Sequence, residues 1–193
     1  MKSCIRLMLC VAMLIGIAGA KGEKGNKADR PRREKETTVS EMKLPDKVRA
    51  TFVDKFPNAV INKLESETEG GVVVWDIEFR DAKAYKETDI AEDGTMLEYT
   101  VHVTKKTFPK KAMKTVEAEA KKQEAAMGTM ERIEVSYETK DGKVVKLDKP
   151  QTHYAVEMKK GDQMSEIVVD ANGKVIEEPK WETPKEKGKK SAD

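Results

Sequence analysis

One hairpin pattern runs through this chain twice. The stretches "VWDIEFRDAKAYKETDIAEDGTMLEY" (Val74–Tyr99) and "HYAVEMKKGDQMSEIVVDANGKVIEE" (His153–Glu178) each alternate apolar and polar residues, turn, alternate again and reach a glycine turn. Alternation of period two places every second side chain on one face of a strand, so it specifies half-buried strands and excludes helix. In the first copy Val73, Trp75, Ile77 and Phe79 share a face, and Val74, Asp76, Glu78 and Arg80 take the other. Trp75 precedes Gly94 by the same interval as Tyr154 precedes Gly173. At that offset Ile77 matches Val156, Phe79 matches Met158, Ile90 matches Val169 and Glu98 matches Glu177. A supersecondary unit that cannot close its own core gains from a second copy beside it, so the spacing predicts duplication.

A helical segment precedes each hairpin. In "LPDKVRATFVDKFPNAVI" Pro45 suits the helix start, and Val48, Phe52 and Phe56 recur at helical spacing before Pro57 stops the run. In "FPKKAMKTVEAEAKKQEAAM" Pro109 opens the helix, Met113, Val116 and Ala120 form the stripe, and Gly128 is expected to end it. Further strands are expected at "AVINKLESETE", from Lys83 to Ile90, and at "TMLEYTVHV", with Leu97, Tyr99, Val101 and Val103 on one face. Separate strands are expected at "ERIEVSYET" and "KVVKL". The expected fold is α+β: two similar units, each a helix packed on one face of an antiparallel sheet. The face without helices must then meet water or a partner.

The N-terminus predicts export. Lys2 and Arg6 precede an apolar run from Ile5 to Ile17, and Ala18-Gly19-Ala20 supplies the small residues of a signal-peptidase site. Residues 1–20 are thus read as a signal peptide, 21–43 as a disordered charged linker, 44–105 as the first unit, 106–178 as the second and 179–193 as a disordered tail. Cleavage would remove Cys4 and Cys10, leaving no thiol and no disulfide, and no stable membrane insertion. The expected location is periplasmic or secreted. Lys and Arg number 37 against 35 Asp and Glu, and the basic excess sits in "KGEKGNKADRPRREK" and "KEKGKK" rather than on a face with stacking aromatics. That distribution argues against a nucleic-acid partner.

The elements "LPDKVRATFVDKFPNAVI", "VWDIEFRD", "IAEDGTMLE", "HYAVEM" and "SEIVVDANGKVIEE" resemble the PepSY domain family, and more closely its tandem beta-lactamase-inhibitor-like, PepSY-like units. The resemblance spans Leu44 to Glu178; the long second helix and the insertion before Pro150 depart from the pattern. It implies a non-catalytic binding or inhibitory module outside the cytoplasm, of the kind that restrains a secreted peptidase or another hydrolase. It transfers no catalytic residue.

The residues themselves predict no enzyme. His102 and His153 are the chain's histidines, both expected as solvated strand residues on the face away from the apolar stripe, and no H-E-x-x-H helix or G-x-S-x-G elbow accompanies them. The acidic turns "DIAEDGT" and "VVDANGK" lack the ligand spacing of an EF-hand and suit hairpin turn chemistry. No cofactor or metal is therefore expected. The candidate partner-binding residues lie on the helix-free face: Asp76, Glu78, Tyr85, Glu87 and His102 in the first unit, Glu157, Met164 and Glu166 in the second. An envelope or secreted protein or peptide is the expected partner, with Tyr85 as its anchor. A structural or stress-responsive envelope component and a ligand- or metal-binding module are the alternatives.

Overall fold

A computed structural model describes residues 43–82 and 84–183. The expected signal peptide and nearly all of the expected linker lie outside them. The elements run α1 (Asp46–Lys55), β1 (Val60–Glu69), β2 (Val72–Asp81), β3 (Ala84–Ala91), β4 (Met96–His102), α2 (Lys110–Lys122), β5 (Ala126–Lys140), β6 (Lys143–Lys160), β7 (Gln163–Asp170) and β8 (Val175–Glu177). All eight strands form one sheet in sequential order, and every neighbouring pair is antiparallel. The fold is α+β, and both helices cover the same sheet face.

The apolar stripes explain that cover. Val48 and Phe52 of α1 are fully buried against Ile77, Phe79 and Ile90, and the Phe52 ring meets the edge of Phe79 at 5.0 Å between centroids. Ala112, Met113, Val116 and Ala120 of α2 lie on Val156, Met158, Ile167 and Val169. Trp75 and Tyr154 are partly buried at the borders of these two clusters, Tyr154 edge-on to Phe108 at 5.2 Å. α2 stops earlier than the glycine signal predicts. Lys122 is its last residue, Gln123 caps it, and Glu124 turns the chain with a left-handed φ of 55°. Gly128 instead lies inside β5, where an added Cβ would come within 3.2 Å of the Glu157 carboxyl carbon.

The two hairpins share register as well as spacing. Trp75 pairs with Ile90 and Tyr154 with Val169; Ile77 pairs with Thr88 and Val156 with Ile167. Each is locked to its helix in the same way. The Thr51 hydroxyl donates to the Gly94 carbonyl at 2.7 Å, and the Thr115 hydroxyl donates to the Gly173 carbonyl at 2.9 Å. Both glycines hold positive φ against the helix backbone. A Cβ would meet the Lys47 carbonyl oxygen at 3.1 Å from Gly94, but the Lys111 carbonyl oxygen at 2.7 Å from Gly173. Gly173→Ala is therefore expected to lower the urea midpoint more than Gly94→Ala, with both destabilising by about 1 kcal/mol or more. Equal midpoints would contradict the tighter second contact.

A register shift between Asp89 and Ile90 changes one assignment. Leu97 does not share a face with Tyr99: the bulge turns it to the helix-free side, where it packs with Val74 and Ala91. The strand expected at "KVVKL" and the strand that opens the His153 hairpin are one element, since β6 runs from Lys143 to Lys160 through Pro150.

The outer half of the β5–β6 hairpin changes the picture most. Its ladder is interrupted between Val135↔Gln151 and Tyr137↔Lys146, and beyond that break it crosses the helix-free face toward the β1–β2 turn. There the Gly142 N–H donates to the Gly70 carbonyl at 2.7 Å, while Tyr137 and Val144 pack over Val74, Ala91 and Leu97. The face expected to be bare is thus covered at one end. Val74, expected on the open face, is fully buried. The chain also remains placed beyond Glu178: Trp181 packs against the α2 cluster, and Glu182 exchanges backbone hydrogen bonds with Met164 at 2.8 and 2.9 Å.

Candidate functional site

Register and alternation place the helix-free face residue by residue. Asp76 stands opposite Asp89, and Asp89 opposite Glu98. In the next row Glu78 faces Glu87, Glu87 faces Thr100, Thr100 faces Ile133 and Ile133 faces His153. A third row runs from Arg80 and Tyr85 through His102 to Glu131. Glu157 faces Glu166, and Lys159 faces Met164. The result is a sheet surface whose middle is dominated by carboxylates.

The eight predicted contact residues do share this surface, at different depths. Asp76 is 1% exposed and Glu87 9%, so both belong to its floor. Glu78, Glu157, Met164 and Glu166 are half-buried, whereas Tyr85 is 45% exposed. Tyr85 stacks on His102 at 5.8 Å, the Arg80 guanidinium lies over its ring at 4.4 Å, and Arg80 hydrogen-bonds its hydroxyl. His102 in turn pairs with Glu131 at 3.1 Å. At the sheet edge Lys63 bridges Glu65 and Glu78, both at 3.0 Å.

His153 departs from expectation. It is 5% exposed, flanked by Ile133 and Asp170 on the adjoining strands, with Nε2 beside the Gln151 side-chain oxygen at 3.1 Å. Burial lowers its pKa, and Asp170 opposes that shift. Asp170 and Asp93 mainly serve their turns, their carboxylates accepting backbone N–H groups of Asn172, Lys174 and Thr95. That agrees with turn chemistry as the role of these acids.

Alternation alone did not single out Asp89. Carboxylate oxygens of Asp76, Glu87 and Asp89 all lie within 4.8 Å of one another. The signal was present: Asp76-x-Glu78 and Glu87-x-Asp89 are acidic pairs on adjoining strands, and the hairpin register brings them together. Burial, reinforced by Asp76, Glu131, Asp89 and Glu98, raises the Glu87 pKa to about 10. Burial likewise raises Glu166 to about 8, with Glu131, Glu177 and Glu157 adding to the shift, and it raises Glu157. Neighbouring carboxyls on this floor resolve their repulsion by holding protons. An oxygen-only trio would suit a hard cation by donor type.

No protein-family model matches the chain, and no curated protein matches it in sequence. Solved structures do match. A protein of Bacteroides eggerthii described as periplasmic superposes with a TM-score of 0.52 at 11% identity, covering 72% of this chain and 90% of that one. It shares the fold. A DUF2874 family protein of Bacteroides uniformis gives 0.49 at 12% identity over 69% and 87% of the two chains. A BLIP-like protein of Bacteroides fragilis gives 0.47 at 13% identity over 77% and 93%. Among the described residues no helix is long and apolar enough to cross a membrane.

Proposed function

We propose that this chain is an exported, non-catalytic binding protein whose helix-free sheet face docks another envelope or secreted protein or peptide. The observation that carries this reading is the composition of that face. Its floor concentrates carboxyl groups, and its rim presents an accessible Tyr85 held by Arg80 and His102. A rigid aromatic beside buried carboxyl groups suits a protein partner, because the ring supplies contact area and protonated carboxyls donate as well as accept hydrogen bonds. The N-terminal signal pattern and the periplasmic description of the Bacteroides eggerthii neighbour support export. The PepSY-like resemblance supports binding over catalysis, and restraint of a peptidase or other hydrolase by occlusion is the mode it suggests.

In this reading the molecule is two passes of one helix and four strands, 44–105 and 106–178, fused through the β4–β5 ladder. The matched hairpin registers and the paired Thr51–Gly94 and Thr115–Gly173 bonds support it.

A photoreactive residue at Tyr85, compared with one at Val53, tests the assignment. Both sites are exposed, at 45% and 44%, but Val53 lies on α1, on the opposite side of the sheet. One discrete adduct from position 85, absent from position 53 and lost with Glu78→Lys and Glu157→Lys, is expected. Equal labelling from both positions would refute sheet-face docking.

A further inference from the structure

We propose that the outer β5–β6 hairpin, Tyr137 to Lys146, is a strap that opens and closes over the helix-free face, setting how much of that face a partner can reach. The regulatory meaning rests on the sheet-face reading above; the opening itself is a property of the chain alone. Three features carry it.

The first is the break at its base. Val135 pairs with Gln151 and Tyr137 with Lys146, so Ser136 on one strand stands against residues 147–150 on the other. Pro150 is among those residues and has no N–H to give to a ladder. A hairpin continuous with the sheet would share its ladder. This one is joined through an unpaired bend, so it can move without unzipping β5 from β6 below Gln151.

The second is the means by which the tip is held. The Gly142 N–H to Gly70 carbonyl bond, at 2.7 Å, ties it to the β1–β2 turn, and the approach depends on glycine. A Cβ on Gly70 would lie 2.8 Å from the Thr139 carbonyl oxygen, and one on Gly71 would lie 3.1 Å from the Gly142 Cα. The Gly70-Gly71 pair thus makes room for the strap as well as turning its own hairpin. Tyr137 and Val144, both half-buried, add packing to that tie, while Val145 points outward at 39% exposure.

The third is what lies beneath. Val74, Ala91 and Leu97 are 0–4% exposed on the face opposite the helices, and Tyr137 and Val144 are the strap residues packed on them. Asp76 and Asp89 follow two residues inward from Val74 and Ala91 on β2 and β3. Lifting the strap would extend the docking face by an apolar patch directly beside its acidic floor. Segments held by few buried contacts open at a fraction of the global unfolding free energy.

Amide hydrogen exchange on the mature protein tests this. Amides from Tyr137 to Lys146 are expected to show protection at least about tenfold below those of Ala155 to Met158. Gly70→Ala, which obstructs the tip, and Tyr137→Ser, which removes the cover without touching the β1–β2 turn, should each lower strap protection further and increase binding of an apolar dye. Protection of Ala155 to Met158 should stay unchanged in Tyr137→Ser. Strap and core amides exchanging together, in the parent and in both variants, would overturn the inference even with Tyr85 capture intact. Loss of Tyr85 capture with the strap still exchanging locally would instead remove the docking reading and leave the strap.

Discussion

Phe79→Ala is expected to cost about 3–5 kcal/mol of unfolding free energy, the range for truncating a buried aromatic. Phe79 is fully buried, and two rings rest on it: Phe52 of α1, edge-on at 5.0 Å, and Phe56, which caps that helix, tilted at 4.5 Å. Phe56 also stacks on Tyr99 at 5.5 Å, so the cavity would sit where α1, β2 and β4 meet. The mature chain is expected to have no disulfide to offset such a loss, and the native stability of a domain is only about 5–15 kcal/mol. Chemical denaturation should show the midpoint falling with little change in slope. A cost below about 1 kcal/mol would mean that α1 is not seated as described. Val53→Ala, on the exposed side of the same helix at 44%, is the matched control and should shift the midpoint little.

Stability is expected to fall as pH rises from about 5 to about 9, and the acidic floor is the reason. Glu87 and Glu166 keep protons in the folded protein up to about pH 10 and about pH 8, through burial first and neighbouring carboxylates second. In the unfolded chain both ionise near the ordinary glutamate value of about 4.3. Between those limits the folded state binds more protons than the unfolded state, so stability is full below the unfolded value and is lost as pH climbs toward the folded one. Burial of His153 works in the opposite direction, removing stability as pH drops below the ordinary histidine value. The net profile should peak on the mildly acidic side of neutrality. Glu166→Gln should flatten it between about pH 5 and 8, since the amide keeps the shape and cannot ionise, and Glu87→Gln should flatten it further toward alkaline pH.

Much of the architecture was legible because it is local. Alternation through Trp75, Ile77 and Phe79, the stripe of Val48 and Phe52, and the glycine turns at Gly94 and Gly173 specify strands, a helix and hairpins within a few residues of themselves. The shared acidic face followed from the same alternation. What escaped the sequence depends on distant closure. Leu97 changes face because of a bulge whose position is decided by the partner strand, and His153 is buried beside Ile133 and Asp170, which only strand pairing brings to it. Gly70 reads as a simple turn until the β5–β6 tip arrives against it from far along the chain. The end of α2 was missed for a local reason, a left-handed Glu124 doing what glycine was expected to do at position 128.

The direct measurement of the acidic floor is a carbon-detected NMR titration of the side-chain carboxyl groups of Glu87 and Glu166 in the folded protein, from pH 3 to 10.5. Glu166 is predicted to titrate near pH 8 and Glu87 near pH 10, with Glu87 moving lower when Asp89 is replaced by asparagine. If both instead ionise between pH 4 and 5, these carboxyls are solvated, and the account of a buried, proton-holding carboxyl floor on the helix-free face fails.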